Sequence, residues 1–173
     1  MKRALFIGRF QPFHNGHLSA VKEILAAYDE CVIIVGSAQE NLTERNPLTA
    51  GERIELISLV LKTEGIREKC HIVPVPDTPE SGLWPARVLS YSPNADAIYT
   101  GNDYVELLFS REGLKVCRQK MIPQITSTVV REKITHGDSS WEKMVPTAAA
   151  NFLAKNGLDL RIQKLNSSKA SIG

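Results

Sequence analysis

The chain has 173 residues, 43% of them hydrophobic, and a formal net charge of +2. That length supports one well-packed core and is short for two ordinary domains, so a single domain over residues 1–165 with a polar tail at 166–173 is expected. A charge this small excludes bulk electrostatics as a reason to expect nucleic-acid or membrane partners, so any anion-binding character must be local.

Met1-Lys2-Arg3 followed by apolar residues imitates the start of a secretion signal, but the run stops at Gly8-Arg9 and no small-residue cleavage site follows. The longest apolar run, Cys31 to Val35, is far too short to span a bilayer. A soluble cytoplasmic protein is the expectation. Strands are predicted at residues 3–7, 30–35, 71–75, 97–99 and 115–117, several of them apolar throughout, as happens when helices cover both faces of a sheet. With helical-period segments alternating between them, the pattern predicts an α/β fold: a Rossmann-like, doubly wound parallel sheet with helices on both faces.

Between the first strand and a helix over residues 16–27 lies Gly8-Arg9-Phe10-Gln11-Pro12-Phe13-His14-Asn15-Gly16-His17. The carboxyl end of a strand in such a sheet is where ligands bind. Gly8 permits close backbone approach, Pro12 stiffens the turn, and Gly16 starts the helix without a side chain in the way. His14 and His17, three residues apart, should point the same way. Together with Arg9 and the free N–H groups of the helix start they suit a polyphosphate. No third ligand stands near the two histidines, so no metal site is expected there.

Further along, Gly36-Ser37-Ala38-Gln39 follows the second strand, and Arg45 precedes a capping box, Thr49-Ala50-Gly51-Glu52, that opens a helix ended by Gly65. Arg53, on the first turn of that helix, reads as structural. Asp77 begins a loop that continues over 78–82, and Trp84 stands where this loop gives way to a helix over 83–89. Thr100-Gly101-Asn102-Asp103 ends the fourth strand and can cap a helix over 104–109. Ser127 or Thr126 caps a helix running to Gly137, with Thr128 at its start and Arg131 one turn in, and a last helix is expected over 147–155. Trp141 reads as packing between these last two helices. Cys31, Cys70 and Cys117 are odd in number and far apart, which favours buried reduced thiols over a disulfide framework or zinc. No GxxxxGK[ST] or GxGxxG motif occurs, which disfavours a P-loop kinase and an ordinary NAD-dependent dehydrogenase.

His14-Asn15-Gly16-His17 combined with Ser127-Thr128-Val129-Val130-Arg131 resembles the nucleotidyltransferase superfamily that carries an HxGH motif and an ISSTxxR-like one. The longer string Gly8-Arg9-Phe10-Gln11-Pro12-Phe13-His14 resembles its archaeal nicotinamide-nucleotide adenylyltransferases, over roughly residues 2–152. Thr126 stands where the family string usually has Ser or Gly. The resemblance implies transfer of AMP from ATP to nicotinamide mononucleotide (NMN), giving NAD and pyrophosphate. It also implies Mg²⁺ carried mainly by the ATP phosphates, and a homo-oligomer, often a hexamer.

By the same resemblance His14, His17 and Arg131 are catalytic, and Ser127, Thr128 and Arg45 contact phosphate. Gly8, Arg9, Phe10, Gln11, Ser37, Gly101 and Asn102 line the nucleotide site. Asp77 meets the mononucleotide and Trp84 stacks on its pyridinium ring. Two other readings stay open: the same chemistry on nicotinic acid mononucleotide, pantetheine phosphate or FMN, and a module that senses nucleotides without turnover.

Overall fold

The computed structural model describes residues 1–120 and 122–167. Five strands, β1 (Arg3–Gly8), β2 (Glu30–Val35), β3 (Cys70–Pro74), β4 (Ala97–Thr100) and β5 (Lys115–Arg118), form one sheet in the order β3-β2-β1-β4-β5. Every pairing is parallel. The chain therefore winds outward from β1 through β2 to β3, crosses back, and adds β4 and β5 on the other side of β1. The crevice at the carboxyl end of β1 is the topological switch point.

The helices are α1 (Asn15–Ala27), α2 (Ala50–Thr63), α3 (Trp84–Tyr91), α4 (Asp103–Phe109), α5 (Ser127–Thr135), α6 (Thr147–Lys155) and α7 (Leu158–Ser167). Alternation along the strands divides the core between the two faces. Ala4, Phe6, Cys31, Ile33 and Val35 join α1, α2 and α5 to α7 in the larger cluster. Leu5, Ile7, Val32, Ile34 and Ile98 meet Val88 of α3 and Phe109 of α4 on the opposite face. Both faces are thus covered by helices, as the uninterrupted apolar strands required.

Three departures from the sequence expectations have local causes, and Trp141 packs between the two helices as expected. β3 begins at Cys70, which pairs with Cys31, and stops at Pro74 on the sheet edge, where a missing N–H is tolerated. The expected tail is partly helix: α7 packs Leu158 and Ile162 into the larger cluster and reaches Ser167. Residues 168–173 of that tail lie outside the described residues. Cys31 and Cys70 are buried thiols, but Cys117, on the edge strand β5, is only half-buried. Trp141 is buried on a 3-10 turn, Ser139–Met144, that joins α5 to α6. Among the described residues no helix is long and apolar enough to cross a membrane.

Candidate active site

The turn after β1 is closed by two histidines that cap one another. His14 is the N-cap of α1, and its Nδ1 accepts from the backbone N–H of His17 at 3.3 Å. The Nδ1 of His17 accepts in return from the backbone N–H of His14 at 3.2 Å. Each ring must therefore carry its proton on Nε2, because Nδ1 is spent as an acceptor. The rings stack with centroids 3.5 Å apart. A Cβ on Gly16 would lie 3.0 Å from Cε1 of His14, so any other residue would push the His14 ring out of this position.

Burial makes both imidazoles neutral. It pushes His14 down to about 4, and it holds His17 well below the ordinary histidine value, with His14 adding a smaller push the same way. The pair is thus two neutral N–H donors rather than two cations. An unfolded chain would take up protons that the folded one refuses, so stability is complete above the unfolded value of 6.5 and is lost as pH falls toward 4. For His14, which is 4% exposed, the contribution is on the order of 3 kcal/mol. Thermal stability should therefore fall steadily from about pH 7 to pH 4, and a His14→Asn variant should show a shallower slope. Equal slopes in the two proteins would refute this account.

Phe10, Phe13 and Phe6 surround His17, at centroid distances of 4.8, 5.4 and 6.0 Å. Phe10 is 2% exposed, and its ring lies so close to Gly8 that a Cβ there would sit 2.9 Å away. The ligand contact expected of Phe10 is therefore corrected: its ring is a wall of the His17 cage. Gln11 is corrected as well, being 2% exposed with its amide donating to the Leu48 carbonyl and accepting from the Leu48 N–H, both at 2.9 Å. Its role is to clip the turn to the segment that leads into α2.

The second motif docks on the first. Thr126 Oγ1 caps α5 by accepting from Val129 N–H, which frees Ser127 to donate its hydroxyl to the Pro12 carbonyl at 3.0 Å. Arg131 donates from Nη1 to the Gln11 carbonyl at 2.8 Å, with a long 3.5 Å contact from Nη2 to Thr128 Oγ1. Burial lowers the Arg131 pKa, and Arg9 and Arg45 push it the same way. Arg9 is lowered by burial and then by Arg45, while Asp77 opposes them. Three guanidinium groups therefore feel one another across the switch point. Among the described residues, no ion pair engages Arg9 or Arg45. Such a cluster asks for a polyanion.

Beside it opens a cleft of about 690 Å³. Gly8, Arg9, Ser37, Arg45, Asp77, Trp84 and Asn102 line it, whereas Gly101, exposed in the turn before α4, does not. His14, His17, Ser127, Thr128 and Arg131 adjoin it at the turn rather than lining it. Asp77 and Gln39 hold each other by two hydrogen bonds, 2.9 and 3.0 Å, which join the loops after β3 and β2. Asn102 spends its side-chain oxygen capping α4 through Tyr104 N–H, at 2.9 Å.

Trp84 corrects an expectation. It lines the cleft but is 8% exposed, packed against Phe109 in a T-shaped contact, and its Nε1 has no partner, so little of the indole surface is open for stacking. The aromatic ring that is open there is Tyr104, 53% exposed. Its position just beyond the Asn102-Asp103 turn was the available clue.

A switch-point crevice, paired neutral imidazoles and a cluster of arginines without direct ion pairs mark a nucleotide-handling α/β protein. The cytidylyltransferase-like family signature matches residues 5–142, and the chain belongs to that family. It is 44% identical over 171 residues to the nicotinamide-nucleotide adenylyltransferase of Ignicoccus hospitalis, covering 95% of this chain and 98% of the relative. It is 46% identical to the enzyme of that name from Pyrobaculum arsenaticum, over 90% and 89% of the two chains. Among solved structures, it resembles a bifunctional NMN adenylyltransferase/ADP ribose pyrophosphatase from Francisella tularensis complexed with AMP and a manganese ion. There the TM-score is 0.78 at 25% identity, and the match covers 98% of this chain but 53% of the bifunctional one.

Proposed function

We propose that this chain transfers the AMP moiety of ATP to NMN, forming NAD and releasing pyrophosphate. The observation that carries the reading is the docking of α5 on the histidine turn, which brings Arg131 to the Gln11 carbonyl. The names of the relatives, covered nearly end to end, agree with it. The 5′-phosphate of NMN attacks the α-phosphorus of ATP in line. A new P–O bond forms, the bond to the β-phosphate bridge breaks, and the electron pair leaves with pyrophosphate. The nucleophile is already anionic, so no general base is needed, and the protein's work is alignment and charge stabilisation.

His14 and His17 offer their Nε2–H groups to oxygens that gain charge at the α-phosphorus. Arg131, held by one nitrogen, presents the rest of its fork to the leaving group. Arg9 and Arg45 neutralise phosphate within the cleft, Ser127 and Thr128 sit at the leaving end, and Asp77 faces the cationic pyridinium. Among the described residues no cluster of three or more His, Cys, Asp or Glu exists that could cage a metal. Mg²⁺, which the family resemblance implies, would be carried by the ATP phosphates, and no step is assigned to it. A single domain over residues 1–165, a homo-oligomeric state and a cytoplasmic setting belong to the same proposal, the first from chain length and composition, the second from the family resemblance and the third from the sequence pattern.

An acceptor panel tests the substrate. With ATP and Mg²⁺ present, pyrophosphate release is expected to be fastest with NMN, ahead of nicotinic acid mononucleotide, pantetheine phosphate and FMN. A preference for FMN, or no pyrophosphate with any acceptor, would defeat the assignment.

A further inference from the structure

We propose that Arg53 is a positioning residue for the nucleotide phosphates: a buried guanidinium that sets the two loops lining the cleft without itself touching substrate. The inference rests on the adenylyltransferase reading given above.

Arg53 is 1% exposed, the largest fully buried side chain of the protein. It starts on the first turn of α2, where Nε donates to the Thr49 carbonyl at 3.2 Å. From there its fork spreads beneath the switch point. Nη1 donates to the Arg9 carbonyl at 2.9 Å and to the Gly36 carbonyl at 2.8 Å, and Nη2 donates to the Ser37 carbonyl at 3.1 Å. One side chain thus ties the turn after β1 to the loop after β2, and all three of those residues line the cleft. Gly36 N–H to Gly8 carbonyl, at 2.9 Å, is the backbone tie at the same place.

Two features show that the arrangement does more than fill space. Ser37 holds φ at +48°, a left-handed conformation that a serine keeps only when its surroundings impose it. The bond from Arg53 to its carbonyl is one such constraint. Arg53 also forms no ion pair among the described residues, so a buried cation, its charge favoured by Asp77 from a distance, lies under the anion-binding cluster. Burial brings its pKa down to about 10, which leaves it charged at neutral pH. Apolar packing would be a cheaper use of such a site. A planar fork reaching three carbonyls on two loops is something a lysine ammonium cannot reproduce.

The test is steady-state kinetics on Arg53→Lys and Arg53→Gln, with folding checked by circular dichroism. An Ile57→Val variant, in the buried face of the same helix, serves as a control for mild destabilisation. The tie grips the turn after β1 at Arg9 and the loop after β2 at Gly36 and Ser37, while the histidines at the far end of that turn are held by their own reciprocal cap, so KM for both nucleotides should rise about tenfold while kcat stays within about threefold. The control should keep wild-type KM values. Unchanged KM in a folded Arg53 variant, or an equal rise in Ile57→Val, would overturn the proposal. Failure of both Arg53 variants to fold would assign the side chain to stability alone and would overturn it equally. Wild-type enzyme run alongside reports on the function itself: absence of pyrophosphate there would defeat the adenylyltransferase reading, whereas an active wild type with indifferent variants defeats only the role of Arg53.

Discussion

Replacing His17 with alanine is expected to lower kcat by about two to three orders of magnitude, the usual cost of losing one donor aimed at developing charge. The affinity for ATP should change by much less, because arginines rather than histidines hold its ground-state charge. The ring is fixed in tautomer by the His14 N–H, in plane by the stack on His14, and in position by the Phe10, Phe13 and Phe6 cage. Each constraint costs ordering entropy, and a group that merely capped a helix would need none but the first. Its single remaining donor, Nε2–H, is the part that this preorganisation serves.

Removing the ring also leaves space inside the phenylalanine cage and breaks one half of the reciprocal cap. Each loss destabilises the turn on its own account. Turnover must therefore be referred to the folded fraction, with ATP affinity measured separately by equilibrium binding. A folded His17→Ala enzyme with unchanged kcat would remove the histidines from the chemistry.

Much of this architecture could be read before any coordinates. Strands without alternation announced a sheet covered on both sides, and the Thr49 capping box started α2 as expected. The histidine turn was legible because its parts are neighbours in sequence. What the sequence hid depends on partners far apart along it. Gln11 meets Leu48 across 37 positions and Arg53 meets Arg9 across 44, so neither spacing nor residue type reveals that one amide is spent or that one cation is a hub. Trp84 was legible in part for a related reason: its place at a helix start by the cleft is visible, but the packing of Phe109 against it is not. α7 escaped because its apolar stripe is narrow, with Leu158 and Ile162 buried while Leu160 stays 55% exposed.

Arg131 carries the other large effect. Arg131→Ala should lower kcat/KM by about two orders of magnitude, since it removes the charge that the proposed mechanism puts at the leaving end together with the bond that pins α5 to the Gln11 carbonyl. Arg131→Lys separates the two contributions. A lysine keeps the charge but has one nitrogen, which must either hold the carbonyl or meet the phosphate. If the fork matters, lysine should recover no more than about a tenth of wild-type kcat/KM, while its melting temperature returns close to that of the wild type. If charge alone matters, lysine should be nearly as active as arginine, and the bidentate role would fall. Both outcomes are read from pyrophosphate release with NMN and ATP varied in turn. An effect confined to the ATP series would place Arg131 on the triphosphate, and one shared by both series would point instead to loss of the α5 anchor.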